Sequence, residues 1–233
     1  MMKRFFLSPF FSSIVALSTL GCIIAIAYLL RAIIGVYDID ACIPLEIGTY
    51  VGYACSFVAF FVFPKDHLSS PRKQTYCAVF FLWCVTLLRE MGAQHWLAKT
   101  DTTAIKMRFF TSPNNPLSEK IVVFIILAVL IAVVIYLLVK HLRQMVKGFF
   151  NLKPFYWTLA TFGGLGIVTQ LADRFPSRYV KWTGGVKLPE LIIFCSKLIE
   201  EGGEMLLPFL VIVMLWQCHL LIQRNEPISV VAK

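Results

Sequence analysis

Residues 121–139 form nineteen consecutive positions without a charged side chain, IVVFIILAVLIAVVIYLLV, and their one polar side-chain group is the hydroxyl of Tyr136. An α-helix rises about 1.5 Å per residue, so this segment covers most of the roughly 30 Å hydrocarbon core of a bilayer. A helix on the surface of a soluble protein has a polar face, which this segment lacks. The segment therefore predicts a transmembrane helix.

The rest of the chain is also apolar. Of its 233 residues, 58% are hydrophobic and 15% are charged, and the mean hydropathy is +0.76. Soluble domains carry about 25% charged residues, and disordered chains combine low hydrophobicity with high net charge. The composition excludes both classes and indicates an integral membrane protein.

Six apolar blocks of roughly membrane-spanning length predict an all-α fold, a polytopic membrane helical bundle of about six transmembrane helices in one domain over residues 1–233. The predicted spans are 12–34, 44–63, 76–97, 118–139, 155–171 and 205–222. Residues 189–201 begin with the helix-start signal Pro-Glu and are predicted as an interfacial or extended helix. The first block resembles a signal peptide but is longer than one, so we expect it to be retained.

Basic residues concentrate on one side of the predicted bundle. The loops and termini of that side hold eleven Lys and Arg residues against two acids, Asp66 and Glu226, so the whole formal charge of +9 lies there. An excess of Lys and Arg is typical of cytoplasmic loops, which predicts that both termini are cytoplasmic. Contact with anionic membrane lipids accounts for the same excess, and we expect no nucleic-acid partner.

Ionisable residues inside a predicted span form the first candidate site. Arg89 and Glu90 lie about 20 Å along the third span, past the midplane, and Gln94 and His95 follow within a turn and a half. Adjacent residues point about 100° apart on a helix, so Arg89 and Glu90 should pair poorly with each other. An interhelical lock and a ligand or catalytic site are both open interpretations.

An acidic stretch before the last span forms the second candidate site. One helical face is predicted to carry Lys197, Glu200, Glu201 and Glu204. We expect a bend at Gly202-Gly203, or a tilt, because an unbroken helix to residue 222 would be about 50 Å long. Because Pro208 has no N–H, the carbonyl of Glu204 should lack its helical hydrogen bond, so this position should offer a backbone carbonyl as well as a carboxylate. A polar cavity and a solvated acidic face paired with nearby bases are the alternatives.

Two predicted outer loops mix bases with aromatic residues. The second, residues 171–185, adds Asp173 and Arg174 to the candidate cavity. The candidate anion-binding residues are Lys106, Arg108 and Arg178, beside Arg174, because guanidinium groups bind phosphate and carboxylate through paired hydrogen bonds. The alternative is an interfacial belt that contacts lipid headgroups.

A small-residue pattern in the second span, Gly48, Gly52 and Ser56, is typical of close helix–helix contact. It fits packing inside the bundle or a homodimer face. The sequence contains no metalloprotease, nucleophile-elbow, P-loop or CxxC motif. We therefore expect no cofactor and no metal site.

Four strings, LREMGAQHW, KMRFFTSPNNPLSEK, a later DR and EEGGEMLLP, lie within residues 85–210. Together they resemble a pattern in a family of bacterial multi-pass inner-membrane proteins that have no assigned activity. The resemblance implies an integral protein of the bacterial cytoplasmic membrane and brings no mechanism.

Three functions fit these features. The first is binding or transport of a lipid or small ionic solute in a polar, mixed-charge site in the outer half of the bundle, and we predict that Arg89, Glu90, His95 and Glu204 share that cavity. The second is a membrane-embedded enzyme for an anionic lipid-type substrate, with Glu90 or His95 as general base. The third is an accessory subunit whose buried charges are structural. Membrane lipids are the expected partners, with a homo-oligomer or a membrane complex as further options.

Overall fold

A computed structural model describes residues 7–34, 43–63, 70–93, 107–113 and 115–223. Over these ranges the chain is helical and contains no strand, which confirms the all-α prediction. The helices are α1 (Phe11–Ile34), α2 (Ile43–Val62), α3 (Ser70–Glu90), α4 (Met107–Thr111), α5 (Leu117–Phe150), α6 (Pro154–Trp182) and α7 (Glu190–Gln223).

Three of these helices are long and apolar enough to cross a membrane. They are Pro44–Val62 in α2, Leu117–Phe150 in α5 and Glu190–Ile222 in α7, and α1 adds a shorter apolar stretch, Phe11–Ile26. Few of the apolar positions of α5 are buried, as expected for a helix covered by lipid rather than by protein. The structure thus supports an integral membrane protein, while the count of six spans stays a prediction.

The chain divides into two compact units. One consists of residues 1–67 with 145–228, and the other of residues 68–144 with 229–233. In the second unit, α4 packs on α5 through the buried side chains of Phe109 and Val123. The hydroxyl of Thr75 on α3 lies 3.1 Å from Nε2 of His141 on α5. A polar contact and an apolar contact thus hold this unit together.

In the first unit, α7 packs against α1, α2 and α6, and glycines set the close approaches. A Cβ atom at Gly48 would lie 2.7 Å from the sulfur of Met205, and one at Gly52 would lie 2.8 Å from Cγ of Pro208. Ser56 is fully buried on the same helix. The pattern Gly48, Gly52, Ser56 therefore serves internal packing, which is the first of its two predicted roles.

Gly202 and Gly203 have a packing role of the same kind. The helix is continuous through both residues. A Cβ atom at Gly202 would lie 3.2 Å from Ile23 of α1, and one at Gly203 would overlap the Thr169 side chain of α6. The pair lets α7 approach two helices at once, and the helix is not interrupted there, so the bend or tilt expected at Gly202-Gly203 stays a prediction.

The predicted outer loop at residues 171–185 is helical as far as Trp182, which corrects the prediction. Pro176 lies inside α6 and cannot donate to the carbonyl of Ala172, four residues earlier. The hydroxyl of Ser196 on α7 donates to that carbonyl at a distance of 2.6 Å. Because a side chain from the neighbouring helix replaces the missing backbone bond, α6 continues past the proline.

We expect Ser196→Ala to lower the free energy of unfolding by about 1 kcal/mol, since it leaves the half-buried Ala172 carbonyl without its donor. Ser177→Ala is the control, because the Ser177 hydroxyl is exposed and bonds only within its own helix. Unfolding of the two variants in detergent micelles checks the prediction. Equal stabilities would contradict it.

The turn between α5 and α6 is tight. Helix α5 runs to Phe150, beyond the predicted end of the span at residue 139. The N–H of Leu152, at φ 54°, bonds to the carbonyl of Phe149, and that of Lys153 to the carbonyl of Gly148, which is a Schellman motif. Trp157 stacks on Phe149 with ring centroids 4.5 Å apart. The segment between the predicted spans 118–139 and 155–171 is thus mostly helix, and residues 151–153 form the turn.

Candidate functional site

The two units contain different parts of the predicted site. Gln94, His95 and Lys106 lie outside the described residues, and of Arg108 only the backbone is described. Arg89 and Glu90 belong to the second unit, and the remaining site residues belong to the first: Asp173, Arg174, Arg178, Glu200, Glu201 and Glu204. The prediction that Arg89, Glu90, His95 and Glu204 share a cavity therefore stays a prediction.

Arg89 and Glu90 form a loose ion pair at the end of α3. The Nε atom of Arg89 lies 3.8 Å from Oε1 of Glu90, and the two side chains are 44% and 18% exposed. This separation is beyond hydrogen-bond distance, in keeping with the poor pairing expected of adjacent helix residues. Both side chains make further interactions. The geometry fits a structural role in holding helices together as well as a role in ligand binding.

Lys197 lies at the centre of an acidic cluster on α7. Its Nζ atom is 2.6 Å from Oε1 of Glu201 and 3.4 Å from Oε2 of Glu200. Asp173 on α6 lies within electrostatic range of Glu200, and Glu204 follows half-buried on α7. Glu201 is only 7% exposed, so Lys197 neutralises a buried carboxylate. Glu200 and Glu201 are thus paired with a nearby base, although the buried Glu201 does not belong to a solvated acidic face.

We expect Lys197→Met to lower the free energy of unfolding by about 2 kcal/mol, because it leaves the Glu201 carboxylate buried without its cation. Adding Glu201→Gln to Lys197→Met should recover most of that loss, since no buried charge then remains at the pair. A double-mutant cycle of unfolding free energies measures both effects. Additive losses in the double variant would contradict this account.

A groove of about 390 Å³ lies in the first unit, between α6 and Leu207 of α7. Its α6 wall runs along one helix face: Phe162, Gly163, Gly166, Ile167, Gln170, Leu171, Arg174 and Arg178. The floor is apolar and the two arginines lie at one end. We call this feature the α6 groove. It brings together two of the predicted anion-binding residues.

Arg174 and Arg178 are exposed, and neither forms an ion pair with any residue that the structure describes. They are four residues apart on α6, so their guanidinium groups project from the same face. Like charges at this spacing repel each other, and an anion placed between them reverses the sign of that interaction. Geometry and charge at this end of the groove fit an anion, and the anion-binding role of the two arginines stays a prediction.

Sequence reasoning missed a buried polar cluster that joins three helices. The Thr158 hydroxyl of α6 lies 2.8 Å from Oε1 of Gln217 on α7 and 3.0 Å from the hydroxyl of Ser12 on α1. All three side chains are at most 1% exposed. Next to it, the hydroxyls of Ser13 and Thr161 lie 2.7 Å apart. Gln217 inside an apolar block was the signal available, since polar residues in apolar spans bond across helices.

Across the described ranges, no three His, Cys, Asp or Glu side chains come together as metal ligands. No protein-family model, curated protein or solved structure matches this chain. The resemblance to bacterial inner-membrane proteins therefore stays a prediction.

Proposed function

We propose that this chain is a multi-pass protein of the bacterial cytoplasmic membrane that binds an anionic lipid or a small ionic solute. Helices α2, α5 and α7, each able to cross a membrane, support the membrane part of the proposal. The one-sided basic charge supports six spans with both termini in the cytoplasm. In this orientation, the Arg174 end of α6 lies in the outer half of the bundle.

The observation that carries the binding function is the α6 groove with Arg174 and Arg178 at one end. The groove is open and is formed almost entirely by one face of α6, and its apolar surface ends at a defined pair of polar groups. Arginine is well suited to phosphate and carboxylate because its guanidinium offers a planar pair of donors. Cargo held in such a site is compatible with simple binding or with transport.

The accessory-subunit alternative has one observation in its favour. Lys197, Glu200 and Glu201 form a compensated cluster, as expected of charges that stabilise a fold. The enzyme alternative depends on Glu90 and His95, and His95 lies outside the described residues. The accessory-subunit alternative differs from the other two functions in one expectation, which is that Arg174 and Arg178 have no special role in ligand retention.

The proposal is tested by the lipids and small anions that stay with the purified full chain. Wild type and Arg174→Gln/Arg178→Gln are purified in the same detergent, and bound species are identified by mass spectrometry. We expect a stoichiometric anionic species on the wild type that is lost from the variant. Identical retention by the two proteins would contradict binding at this site and favour the accessory-subunit function.

A further inference from the structure

We propose that the ligand of the α6 groove is an anionic membrane lipid rather than a small ionic solute, with one acyl chain lying along α6. In this assignment Gly163 and Gly166 are the residues that admit the chain. The lipid comes from the leaflet on the Arg174 side of the membrane. This inference rests on the proposed binding function and names its ligand class.

The shape of the α6 groove is the first observation that favours a lipid. It extends from Arg174 to Phe162 along one face of α6. Twelve helical residues correspond to about 18 Å, which is close to half of the roughly 30 Å hydrocarbon core. A small inorganic anion would occupy only the arginine end and leave this apolar length unused. A lipid matches both parts, with its headgroup at the arginines and its chain along the apolar floor.

The second observation is the presence of glycine at positions 163 and 166. A Cβ atom at Gly163 or Gly166 would meet nothing within 4 Å, whereas one at Gly203 would overlap a neighbouring helix. Packing within the described chain therefore does not require glycine at positions 163 and 166. Glycine in the middle of a helix is itself unfavourable. Since a side chain at either position would project into the groove, the two glycines keep it open.

The third observation is the position of Arg174 and Arg178 just beyond the apolar part of α6. The apolar part of α6 ends near Leu171, and the charged residues Asp173 and Arg174 follow at once. This change in polarity places Arg174 and Arg178 at the level where lipid phosphates lie. Gln170, one turn before Arg174, adds an amide to the same wall. Negative charge on the headgroup complements the two guanidinium groups, which have no carboxylate partner among the described residues.

The test compares two double variants of the full chain in detergent. Gly163→Leu/Gly166→Leu fills the apolar part, and Arg174→Gln/Arg178→Gln removes the charge. Gly164→Leu is the matched control, because Gly164 also has open space around it but does not line the groove. Three probes are used. Dioleoylphosphatidylglycerol is the anionic lipid, dioleoylphosphatidylcholine has the same acyl chains without net charge, and glycerol phosphate is the anionic headgroup without acyl chains.

We expect wild type and Gly164→Leu to bind dioleoylphosphatidylglycerol in preference to the other two probes. Filling the groove should weaken that binding by about tenfold or more, in line with the effect of misfitting methylene groups in apolar pockets. If the arginine variant loses binding and the glycine variant binds like Gly164→Leu, the acyl-chain assignment is wrong and the proposed function stands. If both variants bind like wild type, the acyl-chain assignment and the proposed binding function are both wrong. Preference for glycerol phosphate would identify a small anion as the ligand and overturn this inference.

Discussion

Arg174→Gln and Arg178→Gln should each weaken binding of an anionic lipid by about tenfold, and together by about a hundredfold. A hydrogen bond to a charged group contributes about 1.5–3 kcal/mol, and about 1.4 kcal/mol corresponds to a factor of ten in Kd. The two residues lie on one wall of the α6 groove, so they can contact the same phosphate. Titration of the purified full chain with dioleoylphosphatidylglycerol measures the change.

Lys147→Gln/Lys187→Gln is the control for net charge. It removes the same two positive charges, both from exposed side chains outside the groove. We expect a much smaller loss of affinity for this control at moderate ionic strength, because neither lysine lines the groove and salt screens exposed charges. If the lysine variant loses as much affinity as the arginine variant, the effect reflects overall charge and the site assignment is wrong.

Gly148→Ala should lower the free energy of unfolding by about 1–3 kcal/mol, the usual range for overpacking. A methyl group at Gly148 on α5 would overlap the ring of Tyr156 on α6, which is buried and has few ways to move. The same turn holds the stacked rings of Phe149 and Trp157. Unfolding in detergent micelles, followed by circular dichroism, measures the loss.

Gly164→Ala is the matched control, since a methyl group there meets nothing within 4 Å. At such a position alanine is favoured over glycine by about 0.5–1 kcal/mol. The two substitutions, identical in chemistry, should therefore change stability in opposite directions. A loss of stability in both variants, or in neither, would contradict the packing described for the α5–α6 turn.

The helices were predictable because their apolar blocks are long and nearly free of charge. Helix α5 is the clearest example, since nineteen consecutive residues admit no other interpretation. The extent of α6 was not predictable, because Pro176 and the nearby charges are typical of a loop. Its continuation depends on the Ser196 hydroxyl of α7. A donor from a distant part of the chain cannot be identified from local sequence.

The glycine pair in α7 shows the same limit. Gly202-Gly203 is a reasonable signal for a bend in an isolated helix, and its packing role depends on Thr169 and Ile23 in other helices. For the candidate site, the nature of Arg174 and Arg178 as exposed bases was predictable. Their common position on an apolar groove was not, because it required α6 to remain helical past Leu171.

Native mass spectrometry of the wild-type chain tests the central claim most directly. The protein is released from detergent after incubation with equal amounts of dioleoylphosphatidylglycerol and dioleoylphosphatidylcholine. We predict one retained phosphatidylglycerol per chain, which is lost from Arg174→Gln/Arg178→Gln and kept by Lys147→Gln/Lys187→Gln. Equal retention of the two lipids, or retention that the arginine substitutions do not change, would contradict a specific anionic-lipid site on α6.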